Sequence, residues 1–135
     1  MIQNLLGKSS ILEKSLDAAW LRNDVIAQNI ANDDTPMYKR KDVVFEDVLN
    51  DSINNLEAKV TDKRHIPFNS SEPGDMEPHI IQANSDVSMR IDGNNVDIDN
   101  EMASLAKNTI KYNTLVQMIN SNYSKIKNII TEGRR

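Results

Sequence analysis

Cysteine is absent from this 135-residue chain. Its absence excludes a disulfide framework, a thiolate zinc site and a cysteine nucleophile together. Aromatic residues are scarce as well, at 4%: one tryptophan, three tyrosines and two phenylalanines. Because these side chains supply the largest buried area per residue, a single thick core suits the composition poorly, and long helices sharing a narrow seam suit it better. No run reaches the roughly 18 apolar residues that span a bilayer. The opening Met1 to Lys8 also lacks the basic start and continuous apolar stretch of a cleaved leader. The expectation is a soluble chain that, if exported, leaves by a route other than the ordinary secretory one. Positive charge is not in excess: a net charge of -4 and a pI near 5.1 exclude the basic field that grips a phosphate backbone.

What is present divides into three parts. Residues 1–32 carry acids and bases in equal number, 33–97 carry an excess of seven acids, and 98–135 an excess of three bases. Pro36, Pro67, Pro73 and Pro78 all lie in the middle part, with Gly74 and Gly93. The ends are therefore almost free of helix breakers while the centre is full of them. The predicted architecture is mainly α: an N-terminal helix over 1–32, an irregular acidic insert over 33–97, and a C-terminal helix over 98–135, the two helices pairing as an antiparallel coiled coil.

The periodicity supports both helices. Leu5, Ser9, Leu12, Leu16, Ala19, Asn23, Ile26 and Ile30 alternate spacings of four and three, the mark of a coiled-coil seam. Asn23 in that seam costs stability and disfavours other registers. Ile11, Ala18, Leu21 and Val25 form a second stripe, so this helix has to be covered on two sides. In the last part Ile98, Met102, Leu105, Thr109, Tyr112, Val116, Ile119, Tyr123, Ile126 and Ile130 keep the same spacing, and Asp97 or Asp99 suits the N-cap. Tyr112 and Tyr123 are expected in the core with their hydroxyls at the rim. Between the ends, Val43 to Leu56 predicts a short amphipathic helix, 59–84 an irregular segment, and Val87 to Ile91 a short strand before the turn Asp92-Gly93-Asn94-Asn95.

Sites for chemistry are few. His65 and His79 lack partners at metal-binding or general-base spacing and are expected as solvated loop residues. Asp92, Asp97, Asp99 and Glu101 are rich in hard oxygen ligands but lack the order of a calcium loop, so they are expected as turn and cap carboxylates. Lys39-Arg40-Lys41 is set among Asp33, Asp34 and Asp42 and reads as a charged turn. No catalytic, cofactor or metal residue is expected. A helical regulatory or chaperone-like binding module is the alternative class that heptads alone permit.

One segment says more. Asn29-Ile30-Ala31-Asn32-Asp33-Asp34-Thr35-Pro36-Met37-Tyr38-Lys39-Arg40 has a helix terminator in Asn32 and a proline suited to the first central position of a turn. The string resembles the N-terminal signature N-I-A-N-x-x-T-P-G-Y-K-R of the bacterial flagellar axial proteins, the rod and hook family. Met37 stands where that pattern has glycine, and a type I turn, which avoids positive φ, is the expectation. At the other end Gly93 to Met102, Leu105 to Asn108 and Tyr112 to Gln117 look like the short proximal rod members of the family. The E-M-V-x-M-I-x-x-Q-R-x-Y-E string of other members is missing.

The resemblance implies a structural subunit, not an enzyme, that takes no cofactor. It implies passage through the flagellar type III apparatus without a cleaved signal peptide, and assembly into the periplasmic rod of the basal body. The implied partners are other rod proteins, the rod-to-membrane-ring adapter, the export gate and further copies of the chain. Asn29, Ile30, Ala31, Asn32, Thr35, Pro36, Tyr38, Lys39 and Arg40 are the motif and assembly residues it implies. Leu12, Leu16, Ile26, Ile30, Leu105, Tyr112, Val116, Ile119, Tyr123 and Ile126 are the helix-packing residues expected from the seams.

Overall fold

A computed structural model describes residues 2–54, 77–82 and 91–132 of the chain. Two long helices dominate it, α1 (Ile2–Ala31) and α3 (Ile98–Glu132). Between them lie strand β1 (Lys41–Val44), helix α2 (Glu46–Asn54) and strand β2 (His79–Gln82). Helix α1 runs unbroken because only Gly7 interrupts its helix formers. It stops where the Asn32 amide folds back on the Gln28 and Asn29 carbonyls, at 3.2 and 3.1 Å, and the Asn32 side chain caps the Gln28 carbonyl at 2.7 Å. Helix α3, roughly 50 Å long at 1.5 Å per residue, begins at Asp97. That side chain accepts from the Asp99 amide at 3.1 Å and the Asn100 amide at 3.4 Å, as an N-cap does.

The helices run antiparallel: Asn29 bonds Glu101, Asn23 bonds Asn108, and Glu13 bonds Tyr123. On α1 the buried face is Ala18, Ala19, Val25, Ile26 and Asn29; on α3 it is Glu101, Asn108 and Leu115, each seven residues from the next. Leu105, Tyr112, Ile119 and Ile126 flank that row, half-buried. The contact thus differs in phase from the apolar seam. Met102 and Tyr123 are half-exposed and Ile130 more so, while Val116 is half-buried. The small Ala18 and Ala19 explain the shift. They let α3 approach closely enough for the Asn108 amide to donate to the Ala19 carbonyl at 2.7 Å and to Asn23 Oδ1 at 2.8 Å. A polar lock of this kind fixes register more firmly than apolar contacts can.

The described parts of the insert hold more regular structure than their composition predicts. The expected helix from Val43 is a strand as far as Val44, followed by α2 after the buried Phe45. β1 pairs antiparallel with β2, Lys41 opposite Gln82 and Val44 opposite His79. The stretch expected to be irregular therefore contributes a strand, and His79 sits exposed in β2 instead of a loop. His65 and Val87, Ser88, Met89 and Arg90 of the expected strand lie outside the described residues, and Ile91 opens a turn. β1 is covered by α1 through Val43, while β2 is exposed along its length.

Arg22 ties the insert to the helices. Its guanidinium grips both Glu46 oxygens at 2.7 and 2.6 Å and donates to the Val43 carbonyl at 2.8 Å. Lys111 on α3 reaches the same carboxylate. The Arg22 hydrogen bonds hold the Glu46 carboxyl at about 2, well below the ordinary 4.5. A depressed folded pKa means stability that is complete above about 4.5 and lost as the pH falls toward about 2. Because the Glu46 side chain is 41% exposed, solvent screening limits the effect to below about 1 kcal/mol. Urea midpoints at neutral pH and through the acid range should fall less steeply for Glu46→Gln than for the parent chain.

Candidate functional site

The motif Asn29 to Arg40 folds against residues 92–101, and the two segments form one polar cluster at the end of the helix pair. Thr35-Pro36-Met37-Tyr38 is a turn closed by the Tyr38 amide on the Thr35 carbonyl at 3.3 Å. Met37 has φ 62°. Proline first and a left-handed residue second define a type II turn, which corrects the type I expectation. The conformation is imposed from outside: the Met37 amide donates to the Asp92 carbonyl at 3.0 Å. The thioether meanwhile lies over Gly93, where a Cβ would stand 2.6 Å from the sulfur. Gly93, at φ 82°, needs its own freedom as well.

Left-handed φ costs a non-glycine residue about 1 to 2 kcal/mol, and glycine returns about 0.4 to 1 of this through the unfolded chain. Met37→Gly should therefore stabilise the chain by about 0.5 kcal/mol. Met37→Ala, which keeps the Cβ, should not. Chemical denaturation of the three chains checks this.

Asn94 holds the turn from within. It is fully buried, and its amide nitrogen donates to the carbonyls of Asn32 at 3.0 Å, Asp33 at 2.7 Å and Thr35 at 3.0 Å. Its oxygen accepts from the Val96 amide at 2.8 Å. Asn29, also fully buried, joins three elements. It donates to the Lys41 carbonyl at 2.8 Å and to Glu101 at 3.1 Å, and accepts from the Lys41 amide at 3.0 Å and the Tyr38 hydroxyl at 3.2 Å. Glu101 is the third buried member, bonded through its other oxygen to Arg40 Nε at 2.5 Å. Lys39 caps the Gly93 carbonyl at 3.0 Å, and the Arg40 amide donates to Asn95 at 2.7 Å. Burial, with the Glu101 charge behind it, pushes the Tyr38 phenol up.

The motif residues thus separate by place. Asn29, Tyr38, Lys39 and Arg40 enter the cluster, and Asn32 stops the helix and lends its carbonyl. Ile30 is half-buried on α1, and Ala31, Thr35 and Pro36 have exposed side chains. Among the packing residues, Ile26 is buried, and Leu12, Leu16, Leu105, Tyr112, Val116, Ile119 and Ile126 are half-buried. Tyr123 is half-exposed, with its hydroxyl on Glu13 at 2.6 Å. Glu101 is not the dipole-facing cap carboxylate the sequence suggested but the buried anion of the cluster. For Asn94 the sequence announces a turn and nothing of its burial. The signal for Glu101 was its place seven residues before Asn108 and fourteen before Leu115, a row that apolar counting passes over.

Chemically, this cluster closes a structure. Its amides, carboxylate and guanidinium are engaged with one another and with backbone. Among the described residues no group of three acidic, histidine or cysteine side chains is placed to hold a metal ion. Two long helices locked at one end by a buried polar clasp define a helical packing protein.

No protein-family model matches the chain. The flagellar basal body rod protein FlgB of Bacillus subtilis is 41% identical to it over 123 residues, covering 91% of this chain and 92% of that one. The protein of the same name from Borreliella burgdorferi is 37% identical over 121 residues, 85% of this chain and 88% of that one. That from Escherichia coli is 26% identical over 140 residues, 98% and 99% of the two. The chain belongs to the FlgB family of flagellar basal body rod proteins.

Proposed function

We propose that the chain is a structural subunit of the proximal rod, assembling through its long helices into a tubular wall with further copies and other rod proteins. On this reading it is delivered unfolded by the flagellar type III apparatus. It meets the export gate and the rod-to-membrane-ring adapter at the base of the rod.

The supporting observation is the apolar surface that α3 leaves open. Ile98, Met102, Ile110, Met118, Ile129 and Ile130 are 46 to 70% exposed and distributed around this one helix, so more than one of its sides is left for neighbours to cover. Each such side chain gains about 1.5 to 3 kcal/mol when fully buried, and neighbours in a wall supply that burial. Deleting the coding sequence should leave cells without a basal-body rod by electron microscopy and unable to swim. Expression of the full chain should restore both. Intact rods in the deletion strain would overturn the proposal.

A further inference from the structure

Beyond the apolar surface of α3, the molecule carries a groove and a matching projection. A groove of about 670 Å³ runs between β1 and α3, with Ile26, Val43, Val44 and Ile81 among its apolar lining. Five cations and three acids also line it, an excess of two positive charges. Arg22 and Lys111 are tied to Glu46, and Arg40 to Glu101 and Asp42. Among the described residues the ammonium groups of Lys41 and Lys107 have no ion-pair partner, and Asp47 has no cation.

On α1 the outward row Glu13, Asp17, Trp20, Asp24 and Ala27, spaced four and three, is exposed throughout. It carries three acids and no base. Trp20 is 64% exposed, an unusual place for the only tryptophan in the chain and the side chain most often found to anchor an interface. Glu13 is taken by Tyr123, while Asp17 and Asp24 stand about one turn to either side of the indole.

We propose that the groove receives Trp20 of a second copy of this chain, with the partner copy's two acids set against Lys41 and Lys107. Charge complementarity selects the occupant: an apolar, positively charged groove and an aromatic projection between two carboxylates lie on the same molecule. Geometry supports it further. Arg22 and Ile26, which line the groove, follow Trp20 by two and six residues. At about 100° and 1.5 Å per residue they sit within about 10 Å of its level but roughly 120 to 160° around α1. Projection and groove therefore occupy one level on opposite sides of the molecule. A copy that fills its neighbour's groove presents its own groove to the next, and such a heterologous contact propagates sideways as a ring or a shallow helix. The proposal rests on the subunit reading above and assigns its lateral contact.

Trp20 is also the probe. Emission and sedimentation of the purified full chain, followed together as concentration rises, should show the indole spectrum moving to shorter wavelength in step with the gain in mass. Lys41→Glu with Lys107→Glu, and separately Asp17→Lys with Asp24→Lys, should each weaken self-association by about tenfold or more, because each sets like charges against each other. An equimolar mixture of the two variants should associate again, since every groove then finds an opposite charge; equal helicity of all chains by circular dichroism is the folding control. Mass gained with the indole still exposed overturns the docking proposal but leaves the subunit reading standing. A mixture that fails to associate where the parent does, or a parent that stays monomeric at every attainable concentration, overturns it too. The subunit reading itself is decided separately, by the deletion strain.

Discussion

Arg40→Met is expected to destabilise the chain by about 3 to 5 kcal/mol, the range for stripping one partner from a buried ion pair. Glu101 has no exposed surface, and Arg40 Nε at 2.5 Å is its only cation among the described residues. Without that guanidinium the carboxylate keeps, among the described residues, the Asn29 amide at 3.1 Å as its one side-chain donor, in a place with no exposed surface. The reverse change, Glu101→Gln, should cost clearly less. The Arg40 side chain is 33% exposed and has Asp42 at 3.5 Å as a second anion, while the amide that replaces Glu101 can still accept. Removing both charges together, as Arg40→Met with Glu101→Gln, should recover much of the loss of the first single change, since no charge then remains buried. Urea unfolding of the four chains as a double-mutant cycle measures this. Equal costs for the two single changes would show that Glu101 is not an uncompensated buried charge without Arg40.

The second large effect is expected at Asn94. Asn94→Ala removes the donor shared by three carbonyls and the acceptor of the Val96 amide. The Asn32 and Thr35 carbonyls keep the Thr35 and Tyr38 amides at 3.1 and 3.3 Å, so the loss falls mainly on the buried Val96 amide and on the bond to the Asp33 carbonyl. Polar groups stripped of a partner cost about 1 to 3 kcal/mol apiece, for an expected loss of about 2 to 4 kcal/mol. Asn94→Asp should be worse than alanine although it is closer in shape, because it turns a carboxylate oxygen toward three carbonyl oxygens. An aspartate chain as stable as the alanine chain would mean that the three carbonyls are not held by the amide.

Both positions show where sequence reading succeeds and fails. The two long helices and the stop after Asn32 were legible, because helix breakers and seam spacing are local signals. The phase of the α3 seam was not. Apolar counting follows Ile98, Met102 and Tyr123, whereas the face that meets α1 holds Glu101 and Asn108, whose burial depends on Arg40, Asn29, Asn23 and the Ala19 carbonyl far away in sequence. The turn at Met37 failed for the same reason. Local preference argues against left-handed φ at methionine, and the Asp92 carbonyl and the Asn94 amide outweigh it. Strand β2 was hidden because, among the described elements, it pairs with β1, and neither the spacing nor the composition of His79 to Gln82 announces a partner. The Asn29 to Arg40 string was visible as a resemblance, but it is only half of the site; Asn94 and Glu101 complete it.

The distance along the chain between the two halves of the clasp governs the order in which the molecule can form. Asn29 waits for Glu101, 72 residues on; the carbonyls at the end of α1 wait for Asn94, 59 to 62 residues on; and Ala19 waits for Asn108, 89 residues on. A chain emerging amino-terminus first from any narrow conduit would have its leading helix outside well before these partners arrive. Helices without tertiary packing are marginal, and contacts of such sequence separation form late. A segment led through in that way would stay threadable for most of its passage, and the register of the helix pair would be set only once the last third of the chain is free.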